Sequence, residues 1–199
     1  EVYRAGLESV PLGQHEAALV VHEEAVQRAR ATGARQQFVN AALNLMECYR
    51  DLGRTEEALA MGEEALSLGE VDGANVLRNN LASLLLELGR LEAAEKYLLV
   101  NARCADPTLR VLAWTRLVRI YVHRGDAERL SGALDATLEQ APMTEYPVAR
   151  IAAALCLAEH GAEAQRRRAR TLVSHLEPDE LPEPHRGDLL RLLSAAGST

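Results

Sequence analysis

The stretch Asp51–Gly69, "DLGRTEEALAMGEEALSLG", decides the fold. It leaves one apolar pattern, passes through Gly53 and enters a second pattern, and variants of its opening return along the chain. Ala58, Leu59, Ala65 and Leu66 recur at spacings that put them on one face of a helix. Ahead of the corner, Ala42, Leu45, Met46 and Tyr49 do the same. Glycine suits such a corner because it takes the left-handed conformation that stops a helix. The stretch carries no constellation of catalytic side chains, so the work of the chain is sought in its shape.

The corner is periodic. Gly13, Gly53, Gly89, Gly125 and Gly161 follow one another at spacings of 40, 36, 36 and 36 residues. Around them stand "LESVPLGQHEAALVVHEEAV", "MECYRDLGRTEEALAMGEEAL", "SLLLELGRLEAAEKYLLVNA", "RIYVHRGDAERLSGALDATL" and "LCLAEHGAEAQRRRARTLVS". A fixed period of this length is the mark of a stacked helical array. It predicts five helix pairs, over residues 1–34, 35–72, 73–108, 109–144 and 145–180, in a single array spanning 1–199. A pair this small cannot bury its apolar face alone, so the last one needs a cover. A helix over about 184–197, opened by Pro184 and carrying Leu189, Leu190, Leu192 and Leu193, is predicted to supply it.

Composition agrees with an all-α chain. Of its 199 residues 48% are hydrophobic and only 4% aromatic, and the apolar mass is nearly all Ala, Leu and Val. Small apolar residues let helices approach closely, and the β-branched and aromatic runs bounded by turn signals that mark strands are missing. The net charge of −7 sets a field that repels phosphate, so direct nucleic-acid binding and an anionic membrane surface are not expected. No apolar run approaches the roughly 18 residues of a membrane span, which predicts a cytoplasmic protein. Cys48, Cys104 and Cys156 are too scattered for a disulfide framework and read as small buried thiols in a reducing compartment. The chain opens at Glu1, without Met and inside a helical pattern, which predicts a segment of a longer protein. Its basic charge is almost all Arg, with Lys96 the single lysine, a bias expected of a GC-rich bacterial genome.

The repeating unit resembles the tetratricopeptide repeat family. That pattern pairs a large-small apolar dipeptide and a Tyr on the first helix, A, with a mid-repeat Gly and small residues on the second, B. The matching residues are Leu45-Met46 with Tyr49, Leu81-Ala82 with Leu85, and Leu117-Val118 with Tyr121. Helix B supplies Ala18 and Ala25, Ala58 and Ala65, and Ala94. The resemblance covers residues 3 to 176 and is best in the second and third repeats. Only the fourth repeat has the family's Trp, at Trp114, and the spacings exceed the family's usual period. In the fifth, Arg166 stands where a small residue packs, and a shifted stripe of Ala169, Leu172, Val173 and Leu176 is the alternative.

The resemblance implies a right-handed α-solenoid whose A helices line a concave groove for a partner peptide or domain. The groove column then falls on Arg4, Asn44, Asn80, Arg116 and Ala152, with Glu47, Arg50, Asn79, Arg119 and His123 beside it. An Asn carboxamide both donates and accepts, so it pairs with a partner's main chain whatever the side chain, and Arg adds a forked donor for carboxylates. The competing reading of the column is solvation or structure. Asp51, Glu87 and Glu159 oppose a purely anionic ligand.

Other features read as surface or core. Arg166, Arg167, Arg168 and Arg170 make a short basic run, best read as a solvated helix face. The pairs Glu23-Glu24, Glu56-Glu57 and Glu63-Glu64 fall on outer helix surfaces. The six histidines do not gather at metal-ligand spacing, and no phosphate loop or nucleophile elbow is present. Neither a metal, a cofactor nor an enzymatic activity is implied. The expected function is a non-catalytic protein-interaction module. The alternative is a sensor or regulatory arm of a larger bacterial transcriptional activator, its groove taking an effector or a neighbouring domain. A homodimer through the array ends is a further expectation, with Val2, Tyr3 and Leu7 on the exposed end.

Overall fold

The computed structural model describes residues 12–69 and 71–194. Among them are ten α-helices and no strand. The helices group into two compact units, α1 to α5 in an N-terminal one and α6 to α10 in a C-terminal one. The expected first helix, with Arg4, Val2, Tyr3 and Leu7, lies outside the described residues.

The N-terminal unit holds α1 (Leu12–Thr32), α2 (Arg35–Asp51), α3 (Thr55–Ser67), α4 (Ala74–Glu87) and α5 (Leu91–Asn101), each packed on the next in sequence. Apolar residues at helical spacing explain the stacking: on α2, Phe38, Val39, Ala42, Leu45 and Met46 are 0 to 4% exposed. The small B-helix residues are where close approach needs them, with Ala58, Ala65 and Ala94 fully buried. Gly62 of α3 belongs with them. A Cβ there would sit 2.7 Å from Met46 Cε of α2 and 2.8 Å from Leu81 Cδ2 of α4. The corners at Gly53 and Gly89 have φ of 71° and 70°, as the helix-stop argument requires. Gly13, by contrast, lies inside α1, which starts ahead of the expected corner.

The C-terminal unit holds α6 (Pro107–Arg124), α7 (Ala127–Gln140), α8 (Pro147–His160), α9 (Glu163–Val173) and α10 (His185–Ser194). Asp106 caps α6 by accepting from the N–H groups of Thr108 and Leu109 at 2.7 and 3.1 Å, and Pro107 follows as its first helical residue. The α6 helix packs on both α7 and α8. Val111, Ala113, Leu117, Val118 and Ile120 are fully buried in α6, and Ala153, Ala154 and Leu157 in α8.

The fifth repeat departs from expectation at its corner. Gly161 is extended, with φ −74° and ψ 156°, not left-handed. Its need for glycine is steric: a Cβ there would press into the carbonyl oxygen of Leu157 and come within 3.0 Å of Gln165 Cβ. Arg166 is exposed and donates through Nε to Gly161 O at 2.8 Å. The helix is buried instead by the shifted stripe, with Ala169 and Val173 at 0% exposure. The cover is α10, packed on α8 and α9 through Leu189 and Leu192, while Leu190 is half exposed.

Candidate functional site

The apolar pair on each A helix fixes where its polar neighbours go, because successive helical residues are rotated by about 100°. On α2, Leu45 and Met46 are 3% and 2% exposed, so Asn44 and Glu47 on either side of the pair are turned out to solvent. The Asn44 side chain makes no hydrogen bond among the described residues. On α4 the same logic around Leu81-Ala82 leaves Asn80 partly exposed. Asn79 is different: it is buried to 7% exposure, and its Nδ2 donates to Asn80 Oδ1 at 3.4 Å. It belongs more to the packing than to an accessible face, which is a correction to its place beside the column. Arg4 lies outside the described residues.

In the C-terminal unit, α6 and α8 border a cavity of about 310 Å³. Arg116 and Arg119 line it from α6, and Glu159 and His160 from the end of α8. Leu112, Ala152 and Leu155 give it an aliphatic floor, at whose side Cys156 is buried. Burial is the main reason that the Cys156 thiol is pushed up to about 12, with the Glu159 carboxylate adding to the rise and the Arg119 guanidinium opposing it. Arg119 is exposed and makes no hydrogen bond or ion pair among the described residues. Glu159 lies 3.6 Å from His160 Nε2. His123, the last of the residues expected beside the column, is exposed on α6 and does not line the cavity. The sequence named Glu159 only as an opposing charge and missed His160 and Cys156, although the spacing of three and four on one helix puts them on a common face.

The outer face is more organised than its sequence suggests. Glu64 accepts from Arg30, Glu56 from Arg90, Glu57 from Arg54 and Glu24 from Arg28. Glu23 accepts from Tyr49 Oη at 3.1 Å, and Arg54 lies over the Tyr49 ring at 4.6 Å. Burial and the Glu23 carboxylate raise the Tyr49 pKa. Of these side chains Glu23, Arg28, Arg30, Tyr49, Glu57 and Glu64 border a cavity of about 900 Å³ among α1, α2 and α3. Glu23, Glu56 and Glu64, expected to be plain solvated surface, therefore tie helices together, whereas Glu24 and Glu57 pair only with arginines three or four residues away.

Cys48 and Cys156 are buried free thiols as expected, whereas Cys104 is half-buried, with Sγ 3.5 Å from Asp106 O. Trp114 is half-buried and Tyr121 is 4% exposed, so the pair belongs to the packing of α6. Among the described residues no three His, Cys, Asp or Glu side chains gather at metal-binding distance, and no helix is long and apolar enough to cross a membrane.

A tetratricopeptide repeat family model matches residues 76–101, which span α4 and α5. Among solved structures, the crystal structure of BtubC (BKLC) from P. vanneervenii is 17% identical, over 95% of this chain and 85% of that one, with a TM-score of 0.65. The crystal structure of YrrB, described as a TPR protein with an unusual peptide-binding site, is 18% identical over 92% and 85% of the two chains, with a TM-score of 0.53. At such identities the likeness is one of fold. None of the curated proteins compared matches the chain.

Proposed function

From the premise that the chain is a tetratricopeptide-repeat protein, we propose that it is a non-catalytic interaction module whose A helices hold a segment of a partner protein. The observation that carries the reading is Asn44, a carboxamide held out to solvent beside the buried Leu45-Met46 pair and unpaired among the described residues. Asn44 and Asn80 pair with the main chain of the segment through both halves of their amides, which needs no particular partner side chain. Arg116 and Arg119 add charge-assisted contacts in the C-terminal unit, and Arg4, Glu47 and His123 complete the proposed set. The likeness to YrrB, described as a TPR protein with an unusual peptide-binding site, supports the same class of ligand here.

The test is capture from a lysate of the source organism by the wild-type chain and by the Asn44→Ala/Asn80→Ala variant, with helicity followed in parallel. A partner held by the first and lost by the second at equal helicity supports the amide contacts. Retention of the same proteins by both removes Asn44 and Asn80 from the site. In the regulatory-arm reading the same face takes an effector or a neighbouring domain, and capture then appears only when the remainder of the parent protein is supplied.

A further inference from the structure

The trough between α1 and α3, over α2, has a volume of about 900 Å³. Its floor is apolar, from buried Leu45 and Met61, and its α1 edge carries Val20, which is 56% exposed. Four carboxylates line it, Glu23, Glu24, Glu57 and Glu64, and three of them have a guanidinium of their own. Arg30 forks onto Glu64, Arg28 lies 3.4 Å from Glu24, and Arg54 donates to Glu57 at 2.9 Å. Glu23 is left with a neutral donor, the Tyr49 hydroxyl, 3.1 Å from its Oε1. It acts on Arg54 more weakly than Glu57 does. A carboxylate accepts several hydrogen bonds, and Glu23 Oε2 has no partner among the described residues. The trough therefore offers one unanswered negative charge beside an uncovered valine.

The α5 helix carries the complementary face. Lys96, Leu99 and Val100 stand at spacings of three and four, which puts them on one side of the helix. All three are exposed, Leu99 to 39% and Val100 to 49%. Lys96 makes no hydrogen bond or ion pair among the described residues. Glu92, one turn earlier, has an interaction of its own and does not enter the balance. A helix also suits the trough better than an extended segment does. The polar side chains of the wall are largely committed to one another, with Gln27 Oε1 accepting from Arg30, and a helix brings no unsatisfied main chain to them. The volume is near the upper end of ligand sites and takes several side chains of one helix face.

We propose that the protein self-associates by seating the α5 face of one copy in the α1–α3 trough of another. The Lys96 ammonium lies on Glu23 Oε2, and Leu99 and Val100 lie against Val20 and Met61. Every copy carries both halves, so a pair can make the contact twice or pass it along a chain. This surface is not the amide face: Tyr49 stands five residues beyond Asn44, about 140° round α2. Copies that each carry a net charge of −7 repel at long range, so a Kd on the order of tens of micromolar is expected.

Sedimentation equilibrium of the full chain, with helicity followed in parallel, tests the contact by exchanging its charges. The wild-type chain is expected to self-associate at concentrations up to a few hundred micromolar. Glu23→Lys and Lys96→Glu are each expected to weaken association about tenfold or more, because like charges then meet. Mixed in equal amounts, the two variants are expected to return to within about threefold of wild type, since each trough finds the opposite charge on the other's α5. Glu139→Lys, the same charge change at an exposed site on α7, leaves association unchanged, and so does Asn44→Ala/Asn80→Ala. A wild-type chain that stays monomeric overturns the proposal, and so does a mixture no more associated than its components. Equal weakening by Glu139→Lys and Glu23→Lys overturns it in favour of net charge alone. Association that Asn44→Ala/Asn80→Ala abolishes and Glu23→Lys does not overturns it in favour of the amide face.

Discussion

Arg30 of α1 and Glu64 of α3 stand 34 residues apart and meet as a forked ion pair, with Nη2 2.7 and 2.9 Å from the two carboxylate oxygens and Nε 3.1 Å from one of them. Arg90 and Glu56 repeat the relation at the same separation of 34, with Arg90 Nη1 3.1 Å from Glu56 Oε2. A separation close to the repeat length is what joins equivalent helices of successive repeats. Both side chains of the first pair are about two-fifths exposed. A double-mutant cycle with Arg30→Ala and Glu64→Ala is therefore expected to give a coupling of about 0.2–1 kcal/mol that shrinks as salt is added. A coupling that is absent at low salt contradicts a role in repeat stacking.

Two corner glycines that look alike in sequence are expected to respond differently. At Gly53, with φ 71° and open space around an added Cβ, alanine costs only the left-handed backbone, about 1 kcal/mol. At Gly161 the backbone is ordinary but an added Cβ meets the Leu157 carbonyl, so the chain must shift, and the expected cost is about 2 kcal/mol or more. Urea denaturation of the two alanine variants separates these causes. A larger loss at Gly53 contradicts the steric reading of Gly161.

Thr108 and Thr144 are 5% and 1% exposed, and their hydroxyls meet at 2.7 Å. Removing one hydroxyl strands the other, so Thr144→Val is expected to destabilise by about 1–3 kcal/mol. The Thr144 hydroxyl also accepts from Tyr146 N at 3.2 Å, which adds to that cost. Thr108→Val/Thr144→Val is expected to cost less than the sum of the single changes. Strict additivity, measured by the same denaturation, contradicts coupling through this bond.

Stability is expected to fall on the alkaline side. The Cys156 thiol ordinarily titrates at 9.0 and is pushed up to about 12 in the fold, chiefly by burial. Below pH 9 the thiol is protonated in both states and contributes no pH dependence. Above it the unfolded chain loses the proton first, so folding weakens by about 1.4 kcal/mol per pH unit for this group until the folded thiol ionises near 12. The upward shifts of Cys48, Cys104, Tyr49 and Tyr97 act in the same direction. The Cys156→Ala variant is expected to show a shallower alkaline slope, read from denaturation midpoints between pH 8 and pH 10. At pH 8 the half-buried Cys104 is expected to alkylate ahead of Cys48 and Cys156, and preferential labelling of Cys156 contradicts its burial.

The array was legible in the sequence because both of its signals are local: apolar spacing within a helix, and a glycine where the helix must stop. The left-handed corners at Gly53, Gly89 and Gly125 carry those signals unopposed. The fifth repeat hid its register because Arg166 occupies a small-residue position by length and spacing, and only the fold shows its guanidinium reaching back to Gly161 O while Ala169 and Val173 do the packing. Gly62 was overlooked because its role depends on Met46 and Leu81 arriving from two other helices. The glutamate pairs were misread for the same reason, since the partners of Glu56 and Glu64 lie 34 residues away. Exposure of Asn44 followed from the adjacent apolar pair, but burial of Asn79 did not, because the α4 face beside Leu77 and Leu81 takes in more of the helix than the pair alone indicates.

A photo-crosslinking amino acid at Asn40, exposed one turn before Asn44 on the same face of α2, compared with one at Glu63 on α3, tests the central claim most directly. The expected result is a partner adduct from position 40 and none from position 63, with the adduct lost when Asn44→Ala/Asn80→Ala is introduced. Adducts from position 63 alone, or adducts from position 40 that the double substitution leaves unchanged, contradict recognition by the amide face of the A helices.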